Sequence, residues 1–275
     1  MQLDAESLTE SESSLSIAVL VSVGRHPLTG RPRRADQDAR ALEMAFSVAG
    51  AAPALLHAGP CDDPSEDALR CYLGMGGGTD LDSLIVLEQT ADADIIPALA
   101  DELTALGPQL VLCGTRAETG ESSGMLPYLL AERLGWPIIT GVAEIESIHE
   151  GVVVALQALP RGQRRRLSVR LPAIATADSA APAPRASAYG PAMRGALTFS
   201  NTGSADDEAR QDWLVSPARK RPKRLKIITA TSARERFKAA AAKSQGGGGK
   251  VLKDLSPEAA AEAIQALLKE EGVLR

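Results

Sequence analysis

Leu110-Val-Leu-Cys113, then Gly114-Thr-Arg-Ala-Glu-Thr-Gly-Glu-Ser-Ser-Gly124, then Met125-Leu-Pro-Tyr-Leu-Leu-Ala-Glu-Arg-Leu134 is the stretch that decides the fold. A short apolar run, a polar loop rich in Gly and Ser, and a segment with helical periodicity ending before Gly135 spell strand, loop and helix. In an open α/β sheet such a loop lies outside the carboxyl ends of the strands, where helix N-termini offer free N–H groups to anions. The loop is a candidate phosphate site. A strand-to-helix turn is also rich in these residues for turning and capping alone.

The same alternation recurs on the N-terminal side. Ser16-Ile-Ala-Val-Leu-Val-Ser-Val23 is a near-continuous apolar run, the mark of a strand buried on both faces. Residues 24–35 hold Arg25, His26, Arg31, Arg33, Arg34 and two prolines, and read as a long loop. Asp36 opens a helix with Leu42, Ala45, Phe46 and Ala49 on one face and Gly50 as its stop. Strands at 54–57 and 84–87 are followed by helices at 64–73 and 94–106. Repeated β–α units predict a parallel sheet with right-handed crossovers and helices on both faces. Gly74-Met-Gly-Gly-Gly78 follows a helix instead of a strand, so it reads as a left-handed helix stop and turn, not a dinucleotide fingerprint.

Beyond Trp136-Pro137, residues 138–145, 152–159 and 167–171 have strand character with hairpin-length connections, and should extend the sheet antiparallel at one edge. Between the last two lies the basic turn Pro160-Arg-Gly-Gln-Arg-Arg-Arg166, either a solvated hairpin tip or a contact for a partner or anion. Leu171-Pro-Ala-Ile-Ala-Thr176 supplies a last short strand. The fold class is α/β: a doubly wound, mostly parallel sheet with antiparallel edge strands and an extended C-terminal arm. The arm begins near Phe199, is polar and Gly-rich, and contains Arg219-Lys-Arg-Pro-Lys-Arg224 and Gln245-Gly-Gly-Gly-Gly249. It ends in an amphipathic helix, with Ser256 as cap, Pro257 and Glu258 at the start, Ala260, Ile264, Leu267 and Leu268 on one face and Gly272 as stop. The division expected is a disordered N-terminus at 1–15, a nucleotide-binding-like domain at 16–198 and a partner-wrapping arm at 199–275.

Composition narrows the function. With 275 residues, 44% of them hydrophobic and only 3% aromatic, the chain suits helices on an aliphatic sheet. A formal charge of −5 argues against nucleic-acid binding, which relies on excess Lys and Arg. Cys61, Cys71 and Cys113 have no metal-ligand spacing and read as reduced thiols, fitting a cytoplasmic location. No apolar run approaches the ~18 residues of a membrane span. His26, His57 and His149 share no ligand spacing, Asp62 and Asp63 look like turn residues, and no nucleophile elbow or phosphate-clamping Gly-Lys-Ser/Thr motif is present. Without a catalytic set, a nucleotide-like site and a reaching arm point to a binding or carrier subunit, not an enzyme.

Leu110-Val-Leu-Cys-Gly114, Glu118-Thr-Gly-Glu-Ser-Ser-Gly124, Leu130-Ala-Glu-Arg-Leu-Gly-Trp-Pro137, Leu171-Pro-Ala-Ile-Ala-Thr176 and Pro184-Arg185 through Met193-Arg194 together resemble the β subunit of electron transfer flavoprotein, over nearly the whole chain. Gly24-Arg-His-Pro, Cys71-Tyr-Leu-Gly-Met-Gly, Ser123-Gly-Met-Leu-Pro-Tyr and Gln157-Ala-Leu-Pro-Arg-Gly-Gln resemble a bacterial branch linked to dimethylglycine and related N-methyl amine breakdown. The resemblance implies a heterodimer with an α subunit that holds the redox FAD. It accepts electrons from a flavin dehydrogenase and passes them through electron transfer flavoprotein-quinone oxidoreductase to the quinone pool.

In this resemblance the β subunit holds AMP, or in bifurcating members a second FAD. The implied pocket is Ser22, Asp36, Gln37, Asp38, Ala58, Gly114, Thr115, Arg116, Ala117, Gly120, Glu121, Ser122, Ser123, Gly124 and Met125. Partner recognition falls on Tyr189, Gly190, Pro191, Ala192 and Met193, with Tyr189 as the exposed anchor. The chain departs from the family pattern in three places. Asp-Gly-Asp of the loop is Glu118-Thr-Gly-Glu121 here, Asn-Pro at the first helix is Ala35-Asp36, and no aromatic lies between Ser22 and Ala45. Asp36 and Asp38 call for a basic offset from Arg25, Arg33, Arg34 or Arg116 if a phosphate is to bind nearby. Two other functions remain open: a stand-alone adenine-nucleotide sensor or hydrolase, and a scaffold subunit with an empty pocket.

Overall fold

The computed structural model describes residues 15–48, 52–120, 122–200, 206–214 and 256–270, with residues 203, 216, 232 and 234. The expected disordered start, the helix stops at Gly50 and Gly272, Glu121, the basic run at 219–224 and the glycine linker at 245–249 lie outside the described residues.

The first strands and helices are β1 (Ile17–Leu20), β2 (Val23–Arg25), β3 (Pro32–Arg34), α1 (Asp36–Val48), β4 (Ala54–Gly59), α2 (Asp63–Leu73), β5 (Ser83–Glu88), α3 (Ile95–Leu106), β6 (Leu110–Gly114) and α4 (Leu126–Leu134). There follow β7 (Ile138–His149), β8 (Val152–Ala158), β9 (Arg164–Arg170), β10 (Ala173–Ala177), α5 (Tyr189–Arg194), β11 (Ala196–Ser200), the short α6 (Glu208–Gln211) and α7 (Pro257–Glu270). Among the described residues one nine-stranded sheet runs in the order β11-β5-β4-β1-β6-β10-β7-β8-β9. Pairing is parallel from β11 to β7 and antiparallel for β8 and β9, so the expected α/β architecture with antiparallel edge strands is present.

Side chains alternate across a strand with period two, and the core follows that rule. Ile17 and Val19 of β1 join Leu55, Leu110 and Leu112 on the face covered by α1 and α2. Ala18 and Leu20 join Leu56, Val111 and Ile174 on the face covered by Leu99 and Leu103 of α3 and Leu130 of α4. Every residue of β1 and β6 is buried, which is why these stretches carry no polar alternation. Each fully buried leucine contributes roughly 1.5–3 kcal/mol. Helix ends are set locally: Asp62 Oδ1 accepts the Ser65 N–H at 3.0 Å, Asp94 Oδ1 accepts the Ile96 N–H at 3.0 Å, and Gly107 closes α3 in the left-handed region at φ 61.

Four expectations are corrected. Residues 24–35 contain the antiparallel hairpin β2–β3, whose turn is held by His26 Nδ1 accepting the N–H groups of Leu28 and Thr29. Its strands are polar because they pair only with each other. The run 74–78 turns as expected, with Gly78 at φ 88, but Gly74 itself is not the left-handed stop: it has φ −62 and opens a 3-10 turn at Gly74–Gly76, and a Cβ there would meet Ser187 Oγ and stand 2.8 Å from the Ala188 carbonyl. Arg164, Arg165 and Arg166 belong to β9, not to a turn. Finally, β11 continues the sheet through the expected boundary at residue 198, and the first compact unit runs to Leu214.

The second unit contributes α7 to the described residues, with Ser256 Oγ accepting the Ala259 N–H at 3.2 Å as its cap. Its Ile264 and Leu267 are exposed. Among the described residues no helix is long and apolar enough to cross a membrane.

Candidate functional site

The chain runs from β1 to β4 on one side and reaches β6 on the other, so the sheet reverses its winding between β1 and β6. At such a point the two following connections diverge and leave a crevice at the strand carboxyl ends. Ser22 follows β1, Gly114 ends β6, and α1 enters directly above them.

Asp38, in the first turn of α1, fills this crevice. Its Oδ2 accepts the Ser22 N–H at 2.8 Å and the Ser22 hydroxyl, and its Oδ1 accepts the Gly114 N–H at 2.9 Å. The side chain is buried, and burial pushes its pKa up to about 6, partly offset by the hydrogen bonds from Ser22 and Gly114. Gln37 Oε1 accepts the Thr115 N–H at 3.0 Å and the Thr115 hydroxyl. Gly114 must be glycine, because a Cβ would run into Asp38 Oδ1 and come within 2.9 Å of Gln37 Cβ.

Glu118 takes a second anion position. Its Oε1 accepts the Asp36 N–H at 3.1 Å at the start of α1, and its Oε2 accepts the Arg25 N–H at 3.1 Å. Arg33 pairs with it at 2.9 Å. Thr119 donates its hydroxyl to the Val23 carbonyl at 2.8 Å, so the loop is laced to the β2–β3 hairpin. Asp36 pairs instead with Arg40 one turn along α1 at 2.8 Å. Among the described residues none of the four arginines expected to offset Asp36 and Asp38 forms an ion pair with either; Arg33 pairs with Glu118 instead, and Arg40, outside the expected set, pairs with Asp36.

Ser22, Gln37, Asp38, Gly114 and Thr115 are thus brought together, but as partners of one another. The donors left over begin after Thr115. Among the described residues the N–H groups of Arg116, Ala117, Ser123 and Gly124 make no hydrogen bond, while the Met125 N–H is taken by Ser123 Oγ at 3.1 Å and α4 has no side-chain cap. Gly120 and Gly124 adopt positive φ, 74 and 79, as does Ser122 at 54, which curls the loop. These groups and Arg116 fit a phosphate; Asp36 and Asp38, as carboxylates, do not, and the Ser22 hydroxyl and Gln37 Oε1 are engaged with Asp38 and Thr115. Ala58 sits near the end of β4, beyond β1 from Gly114, with no side-chain polar group.

Two supports escaped sequence reasoning. Tyr72 Oη accepts the Ala35 N–H at 2.7 Å and donates to the Ser22 carbonyl at 2.8 Å, and the only advance signal was a tyrosine on the apolar face of α2, where a buried hydroxyl needs a partner. His57 is buried with Nδ1 2.9 Å from the Val21 carbonyl, which makes Nδ1 the donor, and burial lowers its pKa.

The segment before α5 is held by Arg185, which pairs with Glu43 at 2.8 Å and lies over the Phe46 ring at 4.4 Å. The Arg185 guanidinium holds the Glu43 carboxyl below its ordinary range. Residues 189–193, expected to recognise a partner, lie in the helix α5. Tyr189 is 80% exposed and Met193 52%, whereas Ala192 is buried near Gly74.

The Electron transfer flavoprotein domain matches residues 34–199. The electron transfer flavoprotein subunit beta of Chromohalobacter salexigens is 60% identical over 262 residues, covering 95% of this chain and 97% of that protein.

Proposed function

This chain belongs to the electron transfer flavoprotein family as a β subunit, and on that premise we propose that it pairs with an α subunit holding the redox FAD and carries no catalytic set of its own. FAD, when bound there, supplies the electron-accepting chemistry. In this reading electrons arrive from a flavin dehydrogenase, of the dimethylglycine or related N-methyl amine class, and leave through electron transfer flavoprotein-quinone oxidoreductase towards the quinone pool, from a cytoplasmic location. The exposed Tyr189 and Met193 on α5 supply the contact for the dehydrogenase, since an exposed aromatic anchor can dominate a transient interface.

The observation that carries the nucleotide part is the set of unspent N–H groups of Arg116, Ala117, Ser123 and Gly124 in the loop after β6. AMP, bound as a structural nucleotide, would place its phosphate on this distal half of the loop, with Ala58 offering apolar contact to the base. A second reading, a scaffold subunit with an empty pocket, is favoured by Asp38 and Glu118, which fill two positions otherwise open to anions. Co-expression with the α subunit, purification of the yellow complex and mass identification of the nucleotides released on denaturation separate the cases. AMP beside FAD supports the proposal, FAD alone supports the empty pocket, and two equivalents of FAD indicate a second flavin. ATP turnover by the isolated chain would instead favour a stand-alone hydrolase.

A further inference from the structure

α5 is too short to hold itself in place. It has six residues, its N-cap Ala188 supplies no side-chain hydrogen bond, and Ala192 is its one buried residue. The approach to it is not anchored by burial either: Ala181 is buried, and no residue from 182 to 191 is. Segments of this kind are ordinarily among the most mobile parts of a fold. Yet α5 carries Tyr189 and Met193, whose exposed side chains gain nothing from the core.

Polar ties replace the missing burial, and arginines make them at both ends. Just before α5, the Arg185 N–H donates to Glu43 Oε2 at 3.0 Å, and its Nε and Nη2 donate to the two Glu43 oxygens at 2.8 Å each. The Arg185 carbonyl accepts from Arg34 Nη2 at 2.8 Å. A forked pair of this kind fixes direction as well as distance. Just after α5, Arg70 Nη1 donates to the Gly195 carbonyl at 2.8 Å, while Glu66 Oε1 holds Arg70 Nε at 3.0 Å and Nη2 at 2.7 Å. A Cβ on Gly195 would stand 2.7 Å from Leu73 Cδ1, so the chain leaves α5 pressed against α2. Glu43 belongs to α1, Arg34 to β3, and Glu66 and Arg70 to α2, so three separate elements converge on one turn.

Stability does not account for these ties, because both ion pairs are partly exposed and such pairs contribute little in water. What they restrict is the orientation of the backbone that carries Tyr189 and Met193. A contact that must order its loop and side chains at each encounter loses affinity, and a pre-set one avoids that loss. We propose that Arg185 with Glu43, and Arg70 with Glu66, are positioning pairs that clamp the two ends of α5 and hold Tyr189 and Met193 in the orientation a dehydrogenase meets. This rests on the reading of Tyr189 and Met193 as the dehydrogenase contact. The arginines act through the turn between them, not by touching flavin or donor.

The test uses the full-length chain purified with its α subunit, and dimethylglycine dehydrogenase with dimethylglycine as the electron donor. Rates are measured against the concentration of the complex for wild type, Tyr189→Ala, Arg70→Ala/Arg185→Ala and the triple variant. The clamp variant should raise KM for the complex about tenfold, with kcat and dithionite reduction of the flavin unchanged. It should quicken amide exchange at Ala192 and Gly195, whose N–H groups bond to the Ala188 and Pro191 carbonyls, and add nothing on the Tyr189→Ala background. Arg70→Lys/Arg185→Lys keeps the charge but not the fork. It should give a smaller rise in KM at an unchanged melting temperature, and it carries the test if the alanine variant fails to fold. Wild-type KM and exchange in the clamp variants overturn the proposal. A KM effect that adds in full to that of Tyr189→Ala also overturns it, as the mark of arginines that contact the donor themselves. Both results leave the dehydrogenase contact standing. A Tyr189→Ala complex reduced like wild type overturns the contact reading, and the proposal with it. If this dehydrogenase fails to reduce the wild-type complex, the donor assignment falls and the exchange measurement decides the clamp.

Discussion

Tyr72 donates its hydroxyl proton to the Ser22 carbonyl at 2.8 Å, joining the buried face of α2 to the carboxyl end of β1. The same oxygen accepts the Ala35 N–H just before α1. Tyr72→Phe keeps the ring and leaves that buried N–H unpaired, which costs about 1–3 kcal/mol. Urea unfolding of the variant checks this; stability equal to wild type would mean that the phenol is dispensable.

Asp38 gives a pH signature. Its folded pKa of about 6 lies above the ordinary 3.8, so the native state holds the proton more tightly than the unfolded chain. Its contribution is therefore fully present below the unfolded pKa and is lost as pH rises through about 6. A shift of roughly two units corresponds to about 3 kcal/mol. The difference in stability between wild type and Asp38→Asn, measured by denaturant titration from about pH 4 to about pH 7, should move by that order in favour of the variant as pH rises. A difference that stays flat would contradict this.

Gly114→Ala tests the packing of the crevice. A Cβ at this position collides with Asp38 Oδ1 and Gln37 Cβ, so the first turn of α1 must shift. Overpacking of this kind costs about 1–3 kcal/mol. The melting temperature should fall, and Asp38→Ala introduced together with Gly114→Ala should recover part of the loss because it removes the colliding oxygen.

Tyr189→Ala and Gly74→Ala act on α5 by different routes. Tyr189 is 80% exposed, so its removal should change stability by no more than about 0.5 kcal/mol while slowing reduction by the dehydrogenase about tenfold. Gly74→Ala pushes on Ser187 and Ala188 and displaces the whole turn, so it should lower both stability and reduction rate. Stopped-flow flavin reduction beside thermal melts distinguishes the two.

The doubly wound sheet was legible because β1, β4, β5 and β6 are apolar runs separated by helical periodicity, signals that depend on burial alone. The β2–β3 hairpin was not legible, since Val23 is its one apolar contact with the main core and its hydrogen bonds leave no apolar trace. β11 was hidden by its position at the edge, where Thr198 and Phe199 are exposed and the strand pattern is weak. Within the site, the loop from Gly114 to Gly124 was found from its glycines and its place after a strand. The use of Asp38 and Glu118 was not, because a carboxylate bound to its own backbone and one facing a ligand look identical in a sequence.

β7 changes its surroundings along its length. Its first half, paired with β10, lies in the two-sided parallel layer; its second half, paired with β8, has one face open. Between them Gly141 turns at φ 65, its N–H bonded to Thr176 Oγ1 at 2.9 Å. The two halves thereby pack independently of each other. A substitution at an outward position of β8 or β9 therefore leaves the packing of the crevice beside β1 and β6 untouched, and the effects of changes at the two places on stability should add.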